Sequence, residues 1–152
     1  MDRIDRRILE CIQEDSTLSV ADIADKVDLS STPCWRRIQK LEKSGVIRKR
    51  VALLDRHRLN LGIDVFVAIK TNQHSAEWFE SFSRAVDAFP EVVEVYRMSG
   101  DIDYLMRVVV RDIAAYDEFY KRLIQQVDLF DVSSSFAMEQ IKYTTAFPVE
   151  YA

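Results

Sequence analysis

The sequence predicts an α+β protein in two parts, in which three short helices precede a domain of alternating strands and helices. Three observations support this fold class. Apolar residues recur at helical spacing up to residue 45, the remainder alternates strand-like and helix-like segments, and the two parts differ in charge. Residues 1–60 carry 13 Lys and Arg against 10 Asp and Glu, whereas residues 61–152 carry 8 against 15.

Three short helices are predicted in the N-terminal part. The first occupies residues 2–14, where apolar side chains lie three or four positions apart. The second begins after Ser19, which stands three residues before Asp22 in the pattern of a capping box. The third begins near Pro33, a residue suited to the first helical turn, and ends at Gly45, where a left-handed residue closes a helix. Three helices with a short turn between the second and third predict a helix-turn-helix.

The third helix presents polar and basic side chains opposite its apolar face. Successive residues turn by about 100°, so Cys34, Ile38 and Leu41 face inward together. The outward residues suit the major groove of double-stranded DNA, where Arg reads guanine and Gln reads adenine, and hydroxyls at the helix N-terminus suit phosphate. The expected DNA contacts on this helix are Ser30, Ser31, Thr32, Trp35, Arg36, Gln39, Lys40 and Lys43.

The segment that follows the third helix, residues 46–54, is expected to form a β-rich wing with a basic centre. Arg48 and Lys49 are predicted to contact phosphates, which contributes affinity rather than sequence preference. The range Arg36–Arg58 holds nine bases and two acids, the concentrated positive charge expected of a polyanion site. These features predict DNA binding by a winged helix-turn-helix, with a three-helix protein–protein module as the alternative.

The second part alternates strand-like and helix-like segments. Strands are predicted at residues 64–71, 92–98, 104–110 and 132–143, and helices at residues 76–89 and 112–127. The order βαββαβ is that of a ferredoxin-like domain. Two helices cover one face of such a sheet, so the other face is expected to pair with a second subunit. The expected domains are residues 1–54 and 64–152, joined by a linker at residues 55–63.

The composition indicates neither a metal nor a cofactor site. Cys11 and Cys34 fall on apolar helix faces and are expected to be buried hydrophobes, while His57 and His74 stand alone. No apolar run approaches the roughly 18 residues of a membrane span, and the acidic N-terminus is unlike a signal peptide. We therefore expect no cofactor, no metal, no membrane contact and a cytoplasmic location.

Four blocks of the sequence resemble the Lrp/AsnC, or feast/famine, family of transcription regulators. They run from Asp2 to Leu9, from Leu29 to Ile38, from Leu41 to Ile47 and, in the second part, from Ser99 to Leu105. The similarity covers nearly the whole chain in the family's order. It implies a regulator rather than an enzyme, with a ligand-sensing C-terminal domain that dimerises through its sheets and dimers that assemble into octamers.

The resemblance also implies where an effector binds, which is beside the turn Ser99–Tyr104 where dimers meet. A turn containing Gly100 exposes backbone amides that can hold a carboxylate, and an Asp side chain can hold an ammonium group. The expected contacts with an amino acid or related metabolite are Ser99, Gly100, Asp101, Asp103, Tyr104, Ser134, Phe136 and Met138. A plain hairpin turn is the alternative for this segment.

Two other functions compete with a ligand-responsive, sequence-specific DNA-binding regulator. One is an architectural DNA-binding protein that needs no effector. The other is an enzyme on the same architecture, similar to the tetrapyrrole decarboxylases. Such an enzyme would need histidines and basic residues around a pocket in the second domain, where His74 is the only histidine.

Overall fold

A computed structural model describes residues 1–152 and divides them into two compact units. Unit 1 comprises residues 1–53 and 141–152, and unit 2 comprises residues 54–140. The sequence predicts that residues 141–152 belong to the end of the second domain. In the structure these residues pack within unit 1. None of the helices combines the length and apolar character that crossing a membrane requires.

Unit 1 contains the three predicted helices: α1 (Arg3–Glu14), α2 (Val20–Lys26) and α3 (Ser31–Lys43). Their apolar faces form one core, whose least exposed members are Ile8, Ile23, Ala24, Val27, Cys34 and Ile38. Capping boxes begin both α1 and α2, as the sequence predicts for α2. After α3, Gly45 takes a left-handed conformation with φ of +78°, which ends the helix as expected.

The turn between α2 and α3 is held by α1. Asp28 adopts a left-handed conformation with φ of 59°, which Asp tolerates better than most residues. Arg7 on α1 donates to the Asp28 carboxylate at 3.0 Å and also to the carbonyl oxygen of Lys26. Arg7 therefore holds the end of α2 and the start of this turn against α1.

Residues 46–54 contain no helix or strand, which differs from the predicted β-rich segment. A strand needs a partner for its backbone groups, and this segment has none in the single chain. Its basic centre also lacks the Gly, Pro or Asn that would turn it back on itself as a hairpin. Val51, Leu53 and Leu54 are consequently exposed.

Unit 2 has the predicted βαββαβ order behind a short 3₁₀ turn at Arg56–Leu59. Its elements are β1 (Ile63–Lys70), α4 (Ala76–Asp87), β2 (Val92–Arg97), β3 (Tyr104–Val110), α5 (Ile113–Gln126) and β4 (Asp131–Phe136). The strands form one antiparallel sheet in the order β2-β3-β1-β4. Helices α4 and α5 pack on one face, and their core includes Val67, Phe82, Met106, Phe119 and Leu123.

Strand β4 is shorter than predicted, since it ends at Phe136 rather than near residue 143. Its partner strand explains the difference. Phe136 pairs with Val65, and the amide of Ala137 donates to the carbonyl of Asp64 at 2.9 Å. Because β1 begins one residue earlier, at Ile63, β4 has no backbone left to pair with.

The segment after residue 140 docks on α1. The side-chain amide of Gln13 accepts from the amide of Phe147 at 2.7 Å and donates to its carbonyl at 3.1 Å. Arg6 donates to the carbonyl oxygen of Ala152 at 2.8 Å, and Val149 packs against the core of unit 1. The segment that follows β4 in the chain is therefore hydrogen-bonded to α1.

Candidate nucleic-acid interface and effector region

The predicted DNA contacts share one face of α3. Thr32, Arg36, Lys40 and Lys43 are exposed along this face, and Gln39 is half-buried between them. Trp35 lies beside them with its side chain about half exposed. The opposite face is buried, as the spacing predicts. A rigid helix therefore presents bases, an amide and an aromatic ring to solvent.

The N-terminus of α3 adds hydrogen-bond donors to this face. Ser30 is the N-cap residue, yet its hydroxyl makes no hydrogen bond to the helix. Ser31 and Thr32 follow in the first turn and are exposed. The free amides and the positive end of the helix dipole at this point favour an anion.

Only one of the four bases in α3 is paired with an acid inside the chain. Arg37 donates to the carboxylate of Asp2 at 2.6 Å and to that of Asp5 at 2.7 Å. Arg36, Lys40 and Lys43 form no ion pair. The helix thus divides its charge between an inward anchor and an outward, unneutralised face.

The anchor of Arg37 includes the cap of α1. One oxygen of Asp2 accepts from the amides of Ile4 and Asp5, both at 2.9 Å, and the other accepts from Arg37. The backbone amide of Asp5 first, and the Arg37 guanidinium second, lower the pKa of the Asp2 carboxyl. Hydrogen bonds to the Asp2 carboxylate first, and to the Asp5 carboxylate second, raise the pKa of Arg37. Helix α3 is therefore tied to the first turn of α1 by the ion pairs of Arg37.

Glu42 contacts two of the polar residues around this face, and the pattern of the sequence alone did not identify it. Its carboxylate accepts from the side-chain amide of Gln39 at 2.9 Å and from Arg50 at 3.4 Å. Arg48 and Lys49, just before Arg50, are exposed and unpaired. Both are therefore available to phosphate.

The turn between β2 and β3 holds the first group of predicted effector contacts. Asp103 is tied into the fold, because its amide donates to the carbonyl of Ile69 at 2.9 Å and its carboxylate accepts from the amide of Thr71 at 2.8 Å. Asp101 is exposed and makes no hydrogen bond. Gly100 has φ of +122°, a conformation that side chains resist. Of the two carboxylates, Asp101 is the one free for a ligand.

Tyr104, which follows the turn as the first residue of β3, has a buried side chain. It is 7% exposed and belongs to the core of unit 2. Its ring lies 4.7 Å from that of Phe82 and 5.7 Å from that of Trp78, measured between centroids. The first residue of β3 therefore anchors the turn through packing.

The second group of predicted effector contacts lies elsewhere on the sheet. Ser134 and Phe136 sit under α5, where Tyr116 hydrogen-bonds Ser134 and meets the Phe136 ring edge-on at 5.2 Å. Burial raises the pKa of this tyrosine. Met138 follows the end of β4 and is 96% exposed.

The sheet register separates the two groups within one chain. The turn ends beside Ile69, whereas Phe136 pairs with Val65. Four residues of strand separate these points, or about 13 Å. Phe136 therefore lies well away from the turn of its own chain.

A pocket of about 340 Å³ lies between α5 and β4, at the same end of the sheet as the turn. It is lined by Tyr120, Ile124, Val127, Asp128, Leu129, Phe130, Asp131 and Val132. Asp131 pairs with Lys70, the residue after Ile69, so pocket and turn flank the end of β1. The sequence pattern does not reveal this pocket, because only the strand order brings its lining beside the turn.

A helix-turn-helix with an unneutralised basic face, joined to a separate ferredoxin-like unit, defines a DNA-binding regulator with a ligand-binding unit. The comparisons with known proteins agree. A winged helix-turn-helix DNA-binding family model matches residues 1–48, and the Lrp/AsnC ligand binding domain matches residues 64–147. The chain therefore belongs to the Lrp/AsnC family of transcription regulators.

Individual relatives match over almost their full length. The DNA-binding transcriptional activator DecR of Escherichia coli K12 is 52% identical over 99% of each chain. The crystal structure of an AsnC family transcriptional regulator from Agrobacterium tumefaciens is 66% identical, with a TM-score of 0.97 over 99% of each chain. A transcriptional regulator from Neisseria meningitidis in complex with L-Met is 32% identical, with a TM-score of 0.95 over 99% of this chain and 98% of that one.

These findings decide between the functions that the sequence leaves open. The family and the relatives are transcription regulators, not enzymes, and one of the solved structures holds a small molecule. The chain is a DNA-binding transcription regulator that responds to a small molecule.

Proposed function

We propose that this chain binds double-stranded DNA sequence-specifically through α3 and residues 46–54, and that an α-amino acid bound to unit 2 changes that affinity. The observation that carries the DNA part is the division of charge on α3. Arg37 is neutralised by two carboxylates, whereas Arg36, Lys40 and Lys43 are left without acidic partners. Basic side chains without acidic partners on one helix face are suited to bind a polyanion such as DNA.

Different side chains of this face suit different parts of the duplex. Arg36 and Gln39, in the middle of the helix, reach base edges in the major groove, and Trp35 meets a thymine methyl. Ser30 and Ser31 hold a phosphate at the helix N-terminus, together with the free amides there. Thr32, Lys40 and Lys43 flank the base-reading pair, while Arg48 and Lys49 hold phosphates beside the groove.

Replacing Arg36 tests this assignment. Arg36→Ala should weaken binding to the selected operator by about 1–3 kcal/mol and relax the preference at one base pair per half-site. Fluorescence anisotropy on an operator selected from random DNA, and on its single-base variants, measures both effects. Arg111→Ala, which removes an exposed base from unit 2, is the matched control. An equal loss on random DNA would show that Arg36 touches only phosphate.

The proposed effector region consists of the turn and the neighbouring pocket, which lie at the same end of the sheet. Asp101 is free to hold an ammonium group, and the amides around Gly100 can hold a carboxylate. Ile124 and Phe130 in the pocket wall can receive an apolar side chain. The L-Met complex of the relative from Neisseria meningitidis supports an amino acid as the class of ligand.

The outer face of the sheet supports a homodimer. Both helices cover the opposite face, so Phe66, Tyr96 and Leu105 lie on the face that α4 and α5 leave open. Phe66 is 40% exposed and Tyr96 is 53% exposed. Exposed apolar side chains on an open sheet face are typically covered by another layer, and a second copy supplies one.

A charged substitution on this face tests the dimer. Phe66→Arg should convert dimers to monomers in sedimentation velocity, because an unpaired guanidinium would be buried between the sheets. Phe79→Arg, at an exposed position on α4, is the control. If Phe66→Arg leaves the mass unchanged, the subunits meet elsewhere. Light scattering of the parent protein tests the further assembly of dimers into octamers.

A further inference from the structure

Helix α3 carries one acidic residue among its basic residues. Glu42 is the only Asp or Glu between Asp28 and Asp55, in a stretch that is otherwise strongly basic. A carboxylate beside a DNA-binding face repels phosphate and lowers general affinity. Its position therefore calls for a contribution other than binding strength.

The two oxygens of Glu42 hold two different neighbours. One accepts from the side-chain amide nitrogen of Gln39 at 2.9 Å, and the other from Arg50 at 3.4 Å. Gln39 and Glu42 lie three residues apart on α3, so their side chains are neighbours on the helix surface. Glu42 joins the centre of the recognition face to the segment that follows the helix.

The chemistry of a carboxylate determines how the Gln39 amide is turned. An ionised carboxylate only accepts hydrogen bonds, so the amide must face it with its NH₂ group. The amide oxygen and one remaining N–H are then left to other partners. Without Glu42, the amide could rotate by half a turn and present either end.

The orientation that Glu42 imposes matches adenine better than guanine. Adenine offers a donor at N6 and an acceptor at N7 in the major groove, which need one acceptor and one donor from the protein. Guanine offers two acceptors, at O6 and N7, and would oppose the amide oxygen. An amide held in this orientation therefore favours adenine.

We propose that Glu42 is a positioning residue that sets the base preference of Gln39 by fixing its amide. This inference rests on the proposed function, in which Gln39 reads a base. Glu42 thereby improves the discrimination between bases, although its negative charge lowers the affinity for phosphate.

The test compares base preference in Glu42→Gln and in the parent protein. An operator is first selected from random DNA, and Gln39→Ala then identifies the base pair that Gln39 reads. At that pair, Glu42→Gln should reduce the preference for adenine over guanine by about fivefold or more, the lower end of the discrimination by a bidentate contact. Affinity for unrelated DNA should rise, because a negative charge is removed.

Two further variants separate positioning from charge. Glu42→Asp keeps the charge but shortens the side chain, so it should lose the adenine preference while the salt dependence of binding stays unchanged. Glu10→Gln removes an exposed carboxylate from α1 and should leave the preference as it is. In a Gln39→Ala background, Glu42→Gln should change general affinity but no longer change base preference.

The outcomes distinguish this inference from the proposal on which it rests. If Gln39→Ala relaxes a base preference but neither Glu42 variant does, Glu42 has no positioning role and Gln39 still reads DNA. If Gln39→Ala leaves every base preference unchanged, base reading by Gln39 is itself wrong, and the role of Glu42 falls with it.

Discussion

Arg36 and Arg37 are adjacent in the sequence, yet one helical step of about 100° gives them different partners. Arg37 contacts Asp2 and Asp5 across the helix bundle, and Arg36 faces solvent. The two residues have the same chemistry, so the difference arises from position alone. Neutralising Arg37 within the fold keeps α3 in place, while the free charge of Arg36 remains for a ligand.

The pairing of Arg37 predicts a loss of stability that depends on pH. At neutral pH, Arg37→Gln should destabilise unit 1 by about 1–2 kcal/mol, because Asp5 is buried and loses a charged hydrogen-bond donor. The pKa of Asp2 lies lower in the folded chain than in the unfolded one. Its carboxylate therefore stabilises the fold fully above the unfolded pKa, and this contribution disappears as pH falls through the folded pKa.

The difference in stability between Arg37→Gln and the parent should consequently narrow as pH falls below the usual range of an aspartate pKa. Protection of amide hydrogens in α1 and α3, measured at several pH values, reports on unit 1 separately from unit 2. Arg36→Gln is the matched control and should leave protection unchanged at every pH. If the difference in stability between Arg37→Gln and the parent stays constant as pH falls, the contact with Asp2 is not the source of that difference.

At the scale of elements, the local pattern predicted the order of the helices and strands correctly. The apolar spacing of α1, α2 and α3 and the turn residue Gly45 were sufficient for the bundle. The pattern failed at β4 and at residues 46–54, because a strand exists only where another strand pairs with it. The alternation continues past Phe136, but β1 begins at Ile63, close to the residue that pairs with Phe136, and offers β4 no further partner.

The candidate site shows the same division between what a local pattern can and cannot reveal. The exposed face of α3 followed from helical spacing alone. Three other features depend on which strands are neighbours. They are the burial of Tyr104, the hydrogen bond between Asp103 and Thr71, and the pocket beside Asp131. No window of sequence contains that information.

Residues 46–54 can contribute to DNA binding without being a strand, because binding a phosphate requires charge rather than a particular backbone. Arg48→Ala and Lys49→Ala should each weaken binding to all sequences alike. The plot of log K against log salt should flatten by about one unit for each phosphate that the variant no longer neutralises. Arg50→Ala should flatten it less, since Arg50 already pairs with Glu42.

Lys121→Ala on α5 provides the baseline for these slopes, because that lysine pairs with Asp117 in unit 2. Titrations at several salt concentrations, on operator and on random DNA, are sufficient. A slope for Arg48→Ala and Lys49→Ala equal to that of Lys121→Ala would remove this segment from the DNA interface.

At the scale of the whole molecule, the chain passes between its units twice, near residue 53 and near residue 140. Contacts such as that between Gln13 and Phe147 join residues 134 positions apart. Neither the helical pattern of α1 nor the composition of the tail predicts such a contact. The consequence is that the chain, soon after β4 of the ligand-binding unit, continues into a segment that packs within the DNA-binding unit.

Sensing is a property of the whole molecule, and the two carboxylates of the turn allow it to be tested. Asp101 is free, whereas Asp103 accepts from the amide of Thr71. A thermal-shift screen of the twenty amino acids first identifies the one that stabilises the parent protein most. Failure of every amino acid to shift the melting temperature would instead favour a regulator without an amino-acid effector.

With that amino acid, Asp101→Asn should weaken binding by about 1.5–3 kcal/mol, the range for a hydrogen bond to a charged group. Asp103→Asn keeps a carbonyl acceptor for Thr71 and should change ligand affinity much less. Gly100→Val should abolish the thermal shift, because a β-branched residue resists a φ of +122° and distorts the amides that hold the carboxylate. All three variants should still bind DNA without ligand, since α3 belongs to unit 1. If Asp101→Asn and Gly100→Val respond like the parent, the turn is only a turn and the effector binds elsewhere on unit 2.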